Sequence, residues 1–219
     1  MRCAKRRLAA LLCLFFSQKG HRLFNLIDIQ QEFYKGKTMS NIENSSKKLH
    51  VVQTAIRLFT TYGFHTAGVD LISKEAKIPK GSLYNYFRSK EHLIEMCIAF
   101  QKSKLKEEVL AIIYSNRYRT SKDKLKEIVV LHANFNSLYY LLLKAYFEIK
   151  TAYPQAYRMA IEYRKWLHHE IFDLIFSLET YDLKPNADLV LNLIDGLMFQ
   201  ILSSNSLEER DMVVERFFG

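Results

Sequence analysis

Between Ile78 and Leu93 the chain sets Lys80-Gly81-Ser82-Leu83-Tyr84-Asn85-Tyr86-Phe87 just ahead of Arg88-Ser89-Lys90. These residue types can hold a polyanion and read its pattern. Lys80 offers an ammonium group to phosphate or to the acceptors on guanine. Ser82, Tyr84 and Tyr86 offer hydroxyls to phosphates, and Asn85 can both donate to and accept from adenine. Gly81 has no side chain, so backbone can come close to a bulky ligand. Lys90 falls where a helix should start, and the free N–H groups there also attract phosphate. The competing use of Tyr84 and Tyr86 is core packing. Two tyrosines beside Phe87 exceed what one short helix can bury, so at least one hydroxyl should face outward. Catalytic patterns are missing: there is no Gly-rich phosphate loop, nucleophile elbow or HExxH. His169 and Asp173 share an i,i+4 spacing in a His-His-Glu segment, but two ligands are too few for a metal, and a solvated helix face is expected. No enzyme activity, cofactor or metal is therefore expected.

The elements that must position these groups read as helices. Val52, Ala55, Ile56, Phe59 and Tyr62 form one apolar stripe of a first helix. Ser45 or Ser46 is the expected cap at its start and Gly63 the expected end. A second, short helix fits Val69 to Ala76, with Val69, Ile72 and Ala76 inward and Asp70 in its positively polarised first turn. Lys77-Ile78-Pro79 breaks it. A third runs from Lys80 to about Phe87 with Leu83 and Phe87 inward, and Ser89 caps a long fourth with Glu91 in its first turn. Two short helices across a tight turn, braced by longer ones, make a helix-turn-helix, whose second helix enters the major groove with its N-terminal residues.

Residues 51–93 resemble the DNA-binding domain of the TetR/AcrR family of bacterial repressors. The resemblance rests on Ala55, Phe59, Gly63-Phe64, Val69, Ile72, Ala76 and the continuous string from Ile78 to Leu93. It implies phosphate contacts from Tyr84, Tyr86 and Lys90, and base or groove contacts around Lys80, Gly81, Ser82 and Asn85. Two positions depart from the pattern. Ala67 stands where a threonine often touches phosphate, leaving Thr66 or the Gly68 N–H to substitute. Lys77 stands where glycine is usual, and a left-handed backbone there costs a lysine about 1 kcal/mol.

Further along, helices are expected at 90–114, 121–135, 137–150, 154–178, 186–204 and 207–217, with no strand-like alternation. The fold class is all-α: a head at 45–93 and a helical ligand-binding and dimerisation body at 94–219. Ten of the fourteen residues from Leu189 to Leu202 are apolar, and a helix apolar all round must be buried all round. In so small a body one face can meet the core and the other a second copy, with Gly196 allowing close approach. The resemblance likewise implies a dimer through helices 154–178 and 186–204, with Leu167, Leu174, Leu189, Leu193, Gly196 and Leu197 at the contact. Helices 121–178 carry many aromatics with polar handles, and a ligand pocket is typically apolar with a few polar anchors. His132, Phe135, Tyr139, Tyr146, Trp166 and His169 are the expected lining, for an aromatic or lipophilic inducer. Cys97 has the spacing of a buried structural thiol.

The chain has 219 residues, is 49% hydrophobic and 25% charged, and holds only 7 Gly and 3 Pro, which favours helices over a many-stranded sheet. Three cysteines make no disulfide scaffold, so a reducing, cytoplasmic setting is the simpler reading. The formal net charge is +9, of which residues 1–38 carry +6, residues 39–100 carry +3 and residues 101–219 none. Residues 1–38 join a basic start to a nine-residue apolar run, Leu8 to Phe16. That run is too short to span a bilayer, and no cleavage site follows it. A targeting leader, an ordered helix and a mis-assigned start all fit. The last is favoured, with the true start at Met39: Lys35-Gly36-Lys37 requires purine-rich codons, as in a bacterial ribosome-binding site.

The expected function is a ligand-responsive repressor. It would grip palindromic operator DNA as a homodimer, with no membrane partner, until a small inducer releases it. The alternative is a helical small-molecule-binding protein whose DNA head has decayed.

Overall fold

The apolar stripe at Val52, Ala55 and Phe59 lies fully buried along one face of α1 (Met39–Tyr62). A computed structural model of the chain describes residues 39–176, 187–204 and 206–219. The remaining eight helices among these residues are α2 (Val69–Glu75), α3 (Lys80–Phe87), α4 (Lys90–Ile113), α5 (Ser121–His132), α6 (Tyr139–Glu148), α7 (Pro154–Phe176), α8 (Ala187–Ser204) and α9 (Leu207–Phe218). No strand occurs among the described residues. Residues 1–38 lie outside them, and so do the expectations about the basic, apolar start.

α1 corrects one expectation. It runs without a break from Met39, so Ser45 and Ser46 sit inside it and cap nothing. The segment before them has no Pro or Gly, and serine lowers helix stability only slightly, so nothing stops the helix there. Gly63 ends it as expected. Its φ is +84 and its N–H bonds to the Phe59 carbonyl at 2.9 Å, a left-handed helix end.

The turn between α2 and α3 uses Lys77 at φ +54, the strained conformation foreseen for this position. Bonds across the turn hold it: Ser73 Oγ donates to the Ile78 carbonyl at 2.6 Å, and the Ile78 N–H donates to the Ser73 carbonyl at 3.1 Å. Pro79 then opens α3 with φ already near the helical value. A second left-handed residue, Arg88 at φ +58, ends α3, with its N–H on the Tyr84 carbonyl at 2.7 Å. Ser89 Oγ accepts the His92 N–H at 3.1 Å and so caps α4. The Glu91 carboxyl is held below its usual range by its own backbone N–H and by Ser89.

Caps also place the body helices. Thr120 and Asp123 form a reciprocal capping box at α5, Pro154 is the first residue of α7, and Ser206 accepts the Glu209 N–H at 3.2 Å to start α9. The core of the body gathers Leu105, Val109, Leu125, Val129, Leu142, Ala160, Leu167, Val190, Ile194 and Met198. Cys97 belongs to it. Its Sγ lies 3.7 Å from the Val52 carbonyl, and burial pushes the thiol pKa far up.

α8 is not buried all round within one chain. Val190, Leu191, Ile194, Leu197, Met198 and Ile201 face inward, while Leu189, Phe199 and Leu202 are each slightly more than half exposed. α7 carries Phe172 and Phe176 on its outer side. No described helix is long and apolar enough to cross a membrane.

Candidate nucleic-acid interface and a buried polar cluster

Leu83 and Phe87 fasten α3 to the core, both without exposure. With those two fixed, the helical period turns the rest of α3 outward. Lys80, Gly81 and Asn85 are exposed, Tyr84 is 41% exposed, and Ser82 and Tyr86 are half-buried. The Tyr86 ring packs edge-on against Phe87, centroids 6.2 Å apart. A Cβ added at Gly81 or at Gly68 would meet no heavy atom within 4 Å, so neither glycine is demanded by the chain's own packing there. Thr66 is exposed and Gly68 half-buried just ahead of α2. Ala67 between them is fully buried, so this departure from the family pattern fills core space.

The cations in this row already have partners. Lys80 Nζ lies 2.7 Å from Asp70, which raises the lysine pKa through a hydrogen bond and its charge. Both side chains are largely exposed, so water and salt compete with the pair and a phosphate can exchange for it at little cost. Lys90 Nζ donates to the His65 carbonyl at 3.3 Å, and partial burial lowers its pKa.

A second polar constellation lies deep in the body. His132 is fully buried; its Nδ1 lies 2.6 Å from the Ile128 carbonyl and its Nε2 lies 2.7 Å from the Tyr163 hydroxyl. A carbonyl can only accept, so Nδ1 carries the proton, Nε2 accepts, and Tyr163 donates. Burial lowers the His132 pKa to about 4, so the ring is neutral at ordinary pH. Tyr139 meets the His132 ring edge-on at 4.9 Å and accepts from Arg164 Nη1 at 3.3 Å. Arg164 forks onto both Asp195 oxygens at 3.0 and 2.7 Å, joining α7 to α8. Burial raises the Tyr139 pKa to about 12. Tyr146 donates to the Ala160 carbonyl at 3.2 Å.

Three of the six expected lining residues, His132, Tyr139 and Tyr146, therefore come together in this region. Trp166 borders them through Tyr163, ring centroids 5.6 Å apart, beneath the Lys106 ammonium. Phe135 packs on Tyr140, and His169 pairs with Asp173 at 3.7 Å on a half-exposed flank. An open hollow of about 570 Å³ lies elsewhere, between α5 and α9, and none of the six lines it. Sequence reasoning missed Arg164 and Asp195. A lone acid within the apolar run of α8 was the available signal. It also missed Gln101, whose buried Oε1 has no hydrogen-bond partner, on the same face of α4 as Cys97, Ile98 and Leu105.

The six expected dimer residues divide. Leu167, Leu174 and Leu197 are buried in the chain's own core, so they present nothing to a second copy. Their positions on α7 and α8 fall on the inward stripe. Leu189, Leu193 and Gly196 lie on the outer or flanking side of α8.

An exposed basic and hydroxyl-bearing helix, anchored across a tight turn from a second short helix, defines a helix-turn-helix head on an all-α body. Residues 51–97 match the family model of bacterial regulatory proteins, tetR family. The uncharacterized HTH-type transcriptional regulator YuxN of Bacillus subtilis (strain 168) is 32% identical over 97 residues, 42% of this chain and 33% of that protein. The chain thus spans about a third of the length of this curated relative. The crystal structure of a TetR-family transcriptional regulator from Agrobacterium tumefaciens superposes with a TM-score of 0.69 at 12% identity, covering 80% of this chain and 97% of that one. FadR of Bacillus subtilis, in complex with stearoyl-CoA, superposes with a TM-score of 0.58 at 16% identity, covering 78% and 95%. Residues 51–97 thus carry the head of the tetR family of bacterial regulatory proteins, and the described residues share the all-α fold of these solved structures.

Proposed function

We propose that the protein is a cytoplasmic, ligand-responsive transcriptional repressor that binds a palindromic operator as a homodimer. The observation that carries this reading is the outward row on α3. Lys80, Gly81, Tyr84 and Asn85 face solvent together while Leu83 and Phe87 hold the helix rigidly from behind. The open space at Gly81 supports close approach of a DNA backbone. Thr66 and the Gly68 N–H lie ready at the start of α2 to take a flanking phosphate.

The exposed apolar residues Leu189, Phe199 and Leu202 of α8, together with Phe172 and Phe176 of α7, support a twofold contact with a second copy. Such a dimer sets two α3 helices on successive major grooves, about 34–36 Å apart. The inducer enters near His132, Tyr139 and Tyr146, where an aromatic or lipophilic body meets a few polar anchors. The stearoyl-CoA held by FadR supports a lipophilic ligand for this body fold. Its binding energy shifts the protein away from the DNA-binding state only if it prefers the other state.

The alternative of a decayed head rests on Ala67 and Lys77. Ala67 fills the core, and Lys77 adopts the turn its position requires, so neither departure favours that reading.

The test is selection of duplex DNA from a random pool by the wild-type protein, followed by binding of Lys80→Ala and Tyr84→Phe to the selected site. A palindromic site bound more weakly by both variants is expected. Unchanged affinity for both variants sinks the reading.

A further inference from the structure

One turn of α6 grips the end of α1 in three places. Lys144 Nζ donates to the Thr60 carbonyl at 3.0 Å, satisfying one of the carbonyls left open at the end of α1. Glu148 Oε2 accepts the Phe64 N–H at 2.8 Å. The Glu148 carbonyl accepts from His65 Nε2 at 2.7 Å, which fixes the proton on that nitrogen. The contact is close: a Cβ on Gly63 would lie 2.8 Å from the same carboxylate oxygen. Glycine is therefore needed twice at position 63, for its left-handed φ and for the approach of Glu148. Lys144 lies 3.5 Å from the other Glu148 oxygen and holds the carboxylate from its far side.

We infer that Glu148 is the positioning residue that fixes the DNA-reading head on the body. The turn it holds leads through Thr66 and Gly68 directly into α2, and α2 carries α3 across the Lys77 turn. Phe64, whose N–H it takes, is itself fully buried, so the bond sits against rigid core. A carboxylate accepting a backbone N–H makes a charge-assisted bond, stronger than a neutral one. Glu148 touches none of the residues of the outward row. Its action is on where that row points, and so on the distance between the two heads of a dimer.

This inference rests on the dimeric, DNA-reading function proposed above, and the test separates the two. The wild-type protein first selects its site from random duplex DNA. That site is then rebuilt with its half-sites one or two base pairs closer or further apart, and as a single half-site. Wild type should bind best at the selected spacing. Glu148→Ala should lose about tenfold there, the worth of one charge-assisted bond, and its affinity should become nearly flat across spacings. Its affinity for the single half-site should change much less, which a general loss of stability would not produce.

A heat-melting curve checks each variant. Where Glu148→Ala lacks a cooperative transition, Glu148→Gln and His65→Phe carry the measurement, with a partial flattening expected. A spacing profile in the folded variants that superposes on wild type overturns the latch alone. A wild-type protein that selects no two-part site overturns the functional reading and the latch with it.

Discussion

Tyr84 and Tyr163 place the same side chain in opposite settings. Tyr84 stands on α3 with 41% of its surface exposed; Tyr163 is fully buried and its hydroxyl is spent on His132. A hydroxyl in water meets an outside partner without breaking anything inside the protein. A buried, satisfied hydroxyl does not: a ligand entering beside it must replace the bond it displaces, or leave a polar group unpaired at about 1–3 kcal/mol. On the proposed function, the Tyr84 hydroxyl can meet DNA without breaking an internal bond, whereas a ligand beside Tyr163 must carry a matching donor or acceptor. Gln101 Oε1 differs from the Tyr163 hydroxyl: among the described residues it is a buried acceptor without a hydrogen-bond partner.

The contrast can be broken most forcefully at Tyr163. Tyr163→Ala removes a large ring from a filled site and should cost about 3–5 kcal/mol in chemical denaturation. A loss near zero would mean that the cluster is loosely packed and already an open pocket. His132 gives the next largest effect, through pH. Its pKa falls from 6.5 to about 4 on folding, so the unfolded chain binds the proton and the folded one does not in that window. Stability should therefore drop as pH falls from about 6.5 toward 4, by up to about 1.4 kcal/mol per pH unit. His132→Gln should show a shallower acid-side decline in urea midpoints measured across that range.

On the exposed side the effects should be of another kind. Lys80→Ala should leave stability within about 0.5 kcal/mol of wild type. It should lower DNA affinity and reduce the salt dependence of binding by about one unit of slope. An unaltered slope in a salt titration would remove Lys80 from the phosphate contacts. The smallest effect belongs to the turn. Lys77→Gly should stabilise the protein by about 1 kcal/mol, because glycine meets no penalty at φ +54, and differential melting would register it as a modest rise in Tm.

The head was nearly all legible in the sequence because its geometry is local. Leu83 and Phe87 lie four residues apart, and their burial dictates where Lys80, Tyr84 and Asn85 point. Even the strain at Lys77 follows from the turn its neighbours require. Arg88 was not foreseen, since nothing in its type announces a left-handed residue. In the body, the helix ends that fall among the described residues agree with expectation to within about three residues, as capping residues and Pro154 mark them locally; the ends expected at 178 and 186 lie outside those residues. What escaped was pairing between helices. Arg164 and Asp195 are 31 positions apart and Glu148 is 84 from Phe64, and no local period links such residues. Leu167, Leu174 and Leu197 show the same limit in reverse: an apolar position says that it is buried, and only the packing says against which chain.

Cys97 turns this architecture into an internal clock. Its Sγ lies against the Val52 carbonyl, on the seam where α4 backs α1. An alkylating reagent reaches this fully buried thiol only when the packing around it opens, so its rate of modification reports opening at that seam or of the whole fold. Peptide mapping assigns the modification to Cys97. If the proposed function holds, operator DNA should slow the Cys97 clock and an inducer should change its pace, which would make one buried sulfur a reporter of coupling between head and body.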